Sequence, residues 1–232
     1  PKLHAAKMLQ SELLIFREEY QNALSILTEL ERDEPNAPRV HYFKGLCHIG
    51  LGNTGLAATA VAKAVELKPT YKKARLLLAD IYYHQQSYEL ASNQSSEVLK
   101  LNPTEYNALL LRGNAHTAMG KYQMATLDYE KMIEVQPKNP LGYYRLALLK
   151  SALKKYKEEE DLLEKAFAIN NQLMDVFTLR VKNSLNQNNV KRAHELCAKQ
   201  IIIAKDNPRI QATVHNLEAA VYIATKESDK AK

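Results

Sequence analysis

The chain has 232 residues, of which 46% are hydrophobic and 25% charged, a balance that excludes a disordered or collagen-like chain. Its 32 basic and 26 acidic residues leave a net charge of +6, an excess too small to predict nucleic-acid binding. No apolar run reaches the roughly 20 residues that span a bilayer, and the polar N-terminus does not predict a signal peptide. Because the chain begins at Pro1 rather than Met, we expect a fragment or a processed form.

A repeat of 34 residues dominates the sequence. Four prolines mark it: Pro35, Pro69, Pro103 and Pro137. An alanine stands at one fixed distance before each proline: Ala23, Ala57, Ala91 and Ala125. A second position, farther before the proline, holds Tyr20, Thr54, Tyr88 and Tyr122. Such regular spacing predicts a repeat architecture.

Each repeat predicts two amphipathic helices. Apolar residues recur at i, i+3, i+4 and i+7 in two stretches, which are separated by a short polar turn such as Met119-Gly120-Lys121. The prolines end one unit and open the next, since proline is tolerated only in the first turn of a helix. Small residues on the first helices, Gly45, Ala79 and Gly113, allow the two helices to approach closely.

This framework resembles the tetratricopeptide repeat (TPR) family. The resemblance implies an all-α, right-handed superhelical solenoid of about seven antiparallel helix pairs, forming a single domain over 1–232. The predicted repeats are 4–37, 38–71, 72–105, 106–139, 140–173, 174–207 and a partial unit at 208–232. The fifth repeat departs from the pattern, with Glu159 in place of alanine and Asn171 in place of proline, and the register slips to Pro208 after the sixth.

Motifs of catalysis and of cofactor binding are missing from the sequence. It contains no GxxxxGK[ST], GxGxxG, GxSxG, HExxH or CxxC pattern, so we predict no enzyme activity, no cofactor and no metal. His48 and His116 are interpreted as half-buried packing histidines, and Cys47 and Cys197 as packing residues.

Two charged segments are interpreted as solvated surface. The acidic run 158–161 follows a basic run at 154–157, with Lys157 and Asp161 at pairing distance on a helix. The best basic cluster comprises Lys68, Lys72, Lys73 and Arg75. It lacks the interleaved aromatic residues of a nucleic-acid interface, so no nucleic-acid partner is predicted.

The sequence does not predict the carboxylate clamp of chaperone-binding TPR domains. Asn114 occupies one clamp position, but Leu110 stands where lysine is required and Arg145 where the next asparagine is required.

In TPR arrays the first helices line the concave face, so the resemblance implies a groove for a partner protein or peptide. Its predicted residues are Tyr42, Leu46, Lys73, Leu76, Asp80, Tyr83, His84, Asn107, Leu110, Asn114, Thr117, Tyr144 and Leu148. Tyrosines beside aliphatic residues favour protein recognition. Asn114 is the preferred anchor, because an amide side chain can both donate to and accept from a peptide backbone.

The predicted function is a non-catalytic scaffold. The style of the repeats is similar to long bacterial TPR arrays of exopolysaccharide secretion and periplasmic lipoproteins, which favours a periplasmic or outer-membrane-associated location over a cytoplasmic one. Two alternatives stay open: the substrate-recruiting arm of a larger enzyme such as a glycosyltransferase, and an array that self-associates through its C-terminal repeats.

Overall fold

The computed structural model describes residues 2–224. In that range the chain forms thirteen α-helices and no strand. Their bounds are α1 Lys2–Phe16, α2 Tyr20–Asp33, α3 Pro38–Gly50, α4 Thr54–Leu67, α5 Lys72–His84, α6 Tyr88–Leu101, α7 Tyr106–Ala118, α8 Tyr122–Val135, α9 Pro140–Ala152, α10 Tyr156–Ile169, α11 Met174–Asn186, α12 Val190–Ile203 and α13 Pro208–Ala224. The predicted partial unit at 208–232 begins with α13, and its last eight residues lie outside the described range.

The turn inside each helix pair repeats with the same period as the prolines. One residue in each turn has a positive φ between 56° and 76°. These residues are Glu18, Gly52, Gln86, Gly120, Lys154 and Asn188. A left-handed residue after the last helical turn lets the next N–H groups bond to the helix's final carbonyls, as Ser87 does to Tyr82 at 2.8 Å.

Two compact units can be distinguished, the first ending at Asp128 and the second beginning at Tyr129. In the first unit each helix from α1 to α6 packs against the one that follows it, and α1 also contacts α3 while α5 contacts α7. In the second unit the helices from α9 to α13 pack in the same consecutive manner, and α11 contacts α13. The predicted all-α solenoid of helix pairs is confirmed.

Small residues occupy the contact between the two helices in every pair except α9–α10, where Glu159 takes the alanine position. The alanines of the repeat are completely buried: Ala23, Ala57, Ala91, Ala125 and Ala193. Gly45 on α3 faces Val61 on α4, and a Cβ atom at Gly45 would collide with the Val61 Cγ2 methyl. The absence of a side chain therefore sets the distance between these two helices.

We expect Gly45→Ala to destabilise the first unit by about 1 kcal/mol, because overpacking against Val61 exceeds the gain in helix propensity. Chemical denaturation with circular dichroism measures the change. Gly55→Ala is the matched control, since nothing lies within 4 Å of a Cβ atom there. Equal stability of the two variants would contradict close packing at Gly45.

Candidate functional site

The predicted groove residues of the first unit lie on the first helices of three consecutive pairs, α3, α5 and α7. Each of them is at least partly exposed: Tyr42, Leu46, Lys73, Leu76, Asp80, Tyr83, His84, Asn107, Leu110, Asn114 and Thr117. We call this surface the first-helix face. Helices α5 and α7 contact each other directly, and the Tyr42 ring of α3 lies 5.3 Å from the ring of Tyr71, directly before α5.

Aromatic rings form one end of the first-helix face. The Tyr42 ring lies 5.3 Å from the Phe43 ring and 5.3 Å from the Tyr71 ring, and the Arg39 guanidinium lies 5.8 Å from the Phe43 centroid. Burial raises the pKa of Tyr42 and of Tyr71, so both phenols are neutral at physiological pH. This end offers an apolar surface edged by hydroxyl groups and one arginine.

The middle of the first-helix face carries exposed charge on α5. His84 Nε2 lies 3.6 Å from Asp80 Oδ1, and both side chains are more than half exposed. The Tyr83 ring lies 5.8 Å from the His84 ring and 5.5 Å from the Tyr88 ring. Lys73 is exposed at the start of the same helix. A ligand here meets charges of both signs beside an aromatic ring.

The end of the first-helix face on α7 is polar and aliphatic. Asn107 is exposed, while Leu110 and Asn114 are half-buried. Thr117 is also half-buried, and its hydroxyl donates a hydrogen bond of 2.8 Å to the Gly113 carbonyl. The Thr117 hydroxyl is therefore used within its own helix.

The last two predicted groove residues, Tyr144 and Leu148, lie on α9 in the second unit. Both are half-buried and pack against the core cluster that contains Ala147 and Leu163. Burial raises the pKa of Tyr144. In this unit the predicted positions therefore serve the core as well as the surface.

The basic cluster between the second and third repeats is largely engaged within the chain. Lys72 pairs with Glu105 at 2.7 Å, and Arg75 donates to Gln94 Oε1 at 2.8 Å. Lys68 lies 5.8 Å from the Tyr71 centroid. Lys73 is thus the member of the cluster most open to a partner.

A buried polar network crosses α6, α7 and α8 in the first unit. Arg112 donates to both Asp128 oxygens, at 2.6 Å and 3.2 Å, and His116 Nδ1 lies 2.9 Å from Asp128 Oδ2. His116 Nε2 lies 3.1 Å from the Ser92 hydroxyl. Because a carboxylate only accepts, the geometry assigns the proton to Nδ1 and makes Nε2 the acceptor from Ser92. His48 is part-buried as predicted, whereas His116 is almost fully buried.

Ser92, His116 and Asp128 are bonded in the same order as a serine-hydrolase triad. A triad also needs an accessible hydroxyl and free N–H donors for the developing oxyanion. Ser92 is buried in the interior of α6, where backbone N–H groups bond within the helix. Burial lowers the pKa of His116 despite the neighbouring carboxylate. We therefore interpret this network as packing.

The interpretation of the acidic run as a solvated surface is wrong for Glu159. Its side chain is 0% exposed, and neither carboxyl oxygen makes a hydrogen bond to the described residues. Burial raises the pKa of Glu159, against the opposing effects of nearby Asn183 and Ser151. The Asn183 side-chain amide donates a hydrogen bond of 3.0 Å to the Tyr156 carbonyl. Glu159 enters the core because it holds the position that is alanine in the other repeats.

The rest of the acidic run is partly paired. Lys150 and Lys155 both contact Glu158, at 2.7 Å and 3.2 Å, in place of the pairing expected between Lys157 and Asp161. Glu160 Oε1 accepts from Arg180 at 3.1 Å and from Arg192 at 3.3 Å. Glu160 thus has one oxygen paired with two arginines, whereas its Oε2 and both oxygens of Glu159 are buried without a hydrogen-bond partner among the described residues.

Sequence reasoning missed Ser92 and Asp128, which are polar residues at core positions of second helices. The position of Asp128 in the repeat could have indicated its burial. It lies three residues after the buried Ala125, on the side of α8 that faces its pair partner α7. Cys47 and Cys197 are buried as predicted, and burial raises the pKa of each thiol to about 11.

The chain belongs to the tetratricopeptide repeat family. Two family models described as tetratricopeptide repeat match it, one at residues 9–72 and 50–95 and the other at 106–139 and 142–173. No curated protein sequence matches the chain.

Three solved structures show what the fold is similar to. A TPR protein from Parabacteroides merdae aligns with a TM-score of 0.78 at 19% identity, covering 100% of this chain and 90% of that chain. PilW, a widely conserved type IV pilus biogenesis factor, gives 0.74 at 16% identity and covers 92% and 99%. MamA from Desulfovibrio magneticus RS-1 gives 0.68 at 20% identity and covers 73% and 96%. At these identities the likeness concerns the fold alone.

Among the described helices none has the length and apolarity needed to cross a membrane. Within residues 2–224 there is also no group of three or more His, Cys, Asp or Glu side chains arranged to hold a metal ion.

Proposed function

We propose that this TPR chain is a non-catalytic scaffold that binds a segment of a partner protein on its first-helix face. The observation that carries the proposal is the partial exposure of every predicted groove residue on α3, α5 and α7. Half-buried side chains are held in place by the core, so they lose little conformational freedom when a ligand covers them.

The chemistry of this face favours an amphipathic segment. Tyr42, Leu76 and Leu110 stand 34 residues apart at one position of the repeat, and these half-buried side chains offer an apolar row. Exposed His84 and Lys73 and partly exposed Asp80 lie beside that row. An occupant with aliphatic side chains along one side and mixed charges along the other satisfies both sets of groups.

We also propose a role in assembly at the bacterial cell surface, in secretion or exopolysaccharide export, at a periplasmic or outer-membrane-associated location. Support comes from the structural likeness to PilW, a pilus biogenesis factor. A cytoplasmic location is the alternative. The substrate-recruiting arm of a larger enzyme, such as a glycosyltransferase, is the second candidate function, because the first-helix face would serve recruitment equally well.

Charge reversal on the first-helix face tests the binding proposal. The chain is immobilised and exposed to an extract of its source organism, and the retained protein is purified and titrated against it by calorimetry. We expect Asp80→Arg/His84→Glu to weaken binding about tenfold, equivalent to roughly 1.4 kcal/mol, because both side chains are exposed at the centre of the face.

The matched control reverses an exposed ion pair on the second helix α6. Glu97→Arg/Lys100→Glu alters a contact of 2.5 Å on that helix and should leave affinity unchanged. If both variants bind like the wild type, or if the α6 variant alone loses binding, the first-helix face is not the site.

A further inference from the structure

A pocket of about 340 Å³ lies at the junction between the sixth repeat and α13. Its lining comes from the α10–α11 connection, the end of α12, the α12–α13 connection and the first turn of α13. The volume is at the lower end of the range for small-molecule sites. We call it the junction pocket.

The lining of the junction pocket departs from the repeat pattern at two framework positions. Gln200 is only 2% exposed, and the equivalent residue of every preceding repeat is buried and apolar: Leu30, Ala64, Val98, Met132 and Ala166. Asn171 takes the position of the prolines Pro35, Pro69, Pro103 and Pro137. Two amide side chains have thus replaced framework residues, and both line the same pocket.

The buried Gln200 amide is only partly satisfied. Its Nε2 donates a hydrogen bond of 3.1 Å to the Asn171 carbonyl, the one bond that this side chain makes to the described residues. A primary amide has a second N–H and an acceptor oxygen, and a buried amide costs free energy while these lack partners. A polar ligand in the junction pocket would supply them.

The other side chains of the pocket add polar groups and an apolar wall. Gln172, Asp206 and Asn207 contribute two amides and a carboxylate. Asn207 Oδ1 accepts from the Ile210 N–H at 3.2 Å, which leaves the amide N–H groups of Asn207 for a ligand. Ile203 and Ile210 lie beside these groups. The pocket therefore combines many donors and acceptors with one aliphatic side.

We propose that the junction pocket binds a single neutral sugar residue. Sugar hydroxyl groups donate and accept, as the amides do, and the C–H groups of the ring can pack against the isoleucines. The described lining contains no Lys or Arg, and the Asp206 carboxylate disfavours an anion. A peptide unit offers one donor and one acceptor, so it would leave most of the polar side chains unpaired.

The pocket is a property of the junction itself. An equivalent pocket five repeats earlier is lined by Leu30 and Val40, at the positions of Gln200 and Ile210. It forms although α3 packs there against its own second helix, α4. The junction pocket thus does not require an unpaired α13. What distinguishes it from the first junction is the polar residue in place of Leu30.

NMR titration of the isotope-labelled full chain tests the proposal. The probes are glucose, galactose, mannose and N-acetylglucosamine, each added singly to about 50 mM, because a dissociation constant of about 1 mM is expected for so small a ligand. At least one sugar should shift the side-chain amide signals of Gln200 and Asn171 and the backbone signals of residues 203–210.

Two variants restore the framework of the repeat and should keep the fold. Gln200→Leu introduces the residue of the first repeat, and Asn171→Pro introduces the proline of the first four. We expect each to weaken sugar binding about tenfold or more. Gln123→Leu is the matched control, because it removes an exposed amide on α8 outside the pocket, and it should bind like the wild type. Circular dichroism checks that all three stay helical.

Four results would overturn the proposal. The absence of any shift at the highest concentration would exclude a neutral sugar. Binding that survives in both Gln200→Leu and Asn171→Pro would place the sugar elsewhere. Tighter binding of a phosphorylated sugar than of its neutral parent would show a preference for anions. Tighter binding of a capped alanine tripeptide would assign the pocket to a peptide segment. None of these results bears on partner binding at the first-helix face, where other residues are varied.

Discussion

Asp128→Ala is expected to destabilise the first unit by about 3 to 5 kcal/mol, the cost of removing one partner of a buried ion pair. The Asp128 carboxylate is almost fully buried and accepts from both Arg112 and His116. Its removal leaves a partly buried guanidinium and a buried imidazole N–H without their acceptor. The loss spreads to Ser92, whose hydroxyl is oriented by the same imidazole.

Urea denaturation followed by circular dichroism measures this effect, and hydrogen exchange of the α6 and α7 amides locates it. Asp128→Asn keeps the shape and one acceptor oxygen, so it should cost less than alanine, about 1 to 3 kcal/mol. Glu97→Ala is the exposed control: its ion pair with Lys100 lies on the surface and its loss should not be measurable.

A change at Asp128 as small as that at Glu97 would show that the network contributes little to stability. Such a result would show that stability does not explain why Ser92 and His116 occupy buried positions. A large loss in Asp128→Ala that Asp128→Asn does not share would assign the effect to shape and hydrogen bonding rather than to charge.

The fold could be predicted because every level of the sequence repeats with one period. The completely buried alanines follow directly from the 34-residue spacing, and so does the position of Pro35, Pro69, Pro103 and Pro137 in the connections between one repeat and the next. The left-handed turn residues were harder to predict from the sequence, because only two of them, Gly52 and Gly120, are glycines. Gln86 and Lys154 adopt the left-handed conformation at a cost in free energy, and the hydrogen bonds that cap the helix carbonyls offset that cost.

The residues of the first-helix face could be selected from repeat register alone, because equivalent positions of stacked units share one side, and their role in binding stays a prediction. The buried polar groups could not, since amphipathic patterns treat every charged residue as solvent-facing. Asp128 and Arg112 are 16 residues apart and on different helices, so only the packed structure brings them together. Glu159 carried a usable signal, because it breaks the alanine series.

Glu159→Met is expected to stabilise the second unit by about 1 to 3 kcal/mol, since it fills the space of the carboxyl with an unbranched apolar chain. Asn183 and Ser151 lie near enough to lower the pKa of Glu159, but neither side chain makes a hydrogen bond of good geometry to it. The carboxyl is 0% exposed against α11, and its two oxygens lack hydrogen-bonding partners among the described residues. Thermal unfolding measures the gain, and hydrogen exchange in α10 and α11 should locate it there.

The gain should depend on pH in a defined direction. Because the pKa of Glu159 is raised in the folded chain, the wild type loses stability as pH rises above the ordinary value near 4.5, where the unfolded chain releases its proton first. The advantage of Glu159→Met is therefore smallest near pH 4.5 and increases toward neutral pH. A constant difference across this range would show that burial does not disfavour the ionised carboxylate.

Glu160→Gln is the matched control for Glu159, because one oxygen of the adjacent carboxylate is paired with two arginines. Its Oε1 accepts from Arg180, which is buried, and from Arg192, so its neutralisation should destabilise the chain by about 1 to 3 kcal/mol. Opposite signs at two neighbouring glutamates would show that hydrogen bonding, rather than burial alone, decides what a carboxylate contributes here. If Glu159→Met also lowers the free energy of unfolding, a partner of the carboxyl compensates for its burial. Glu159 would then not destabilise the fifth repeat.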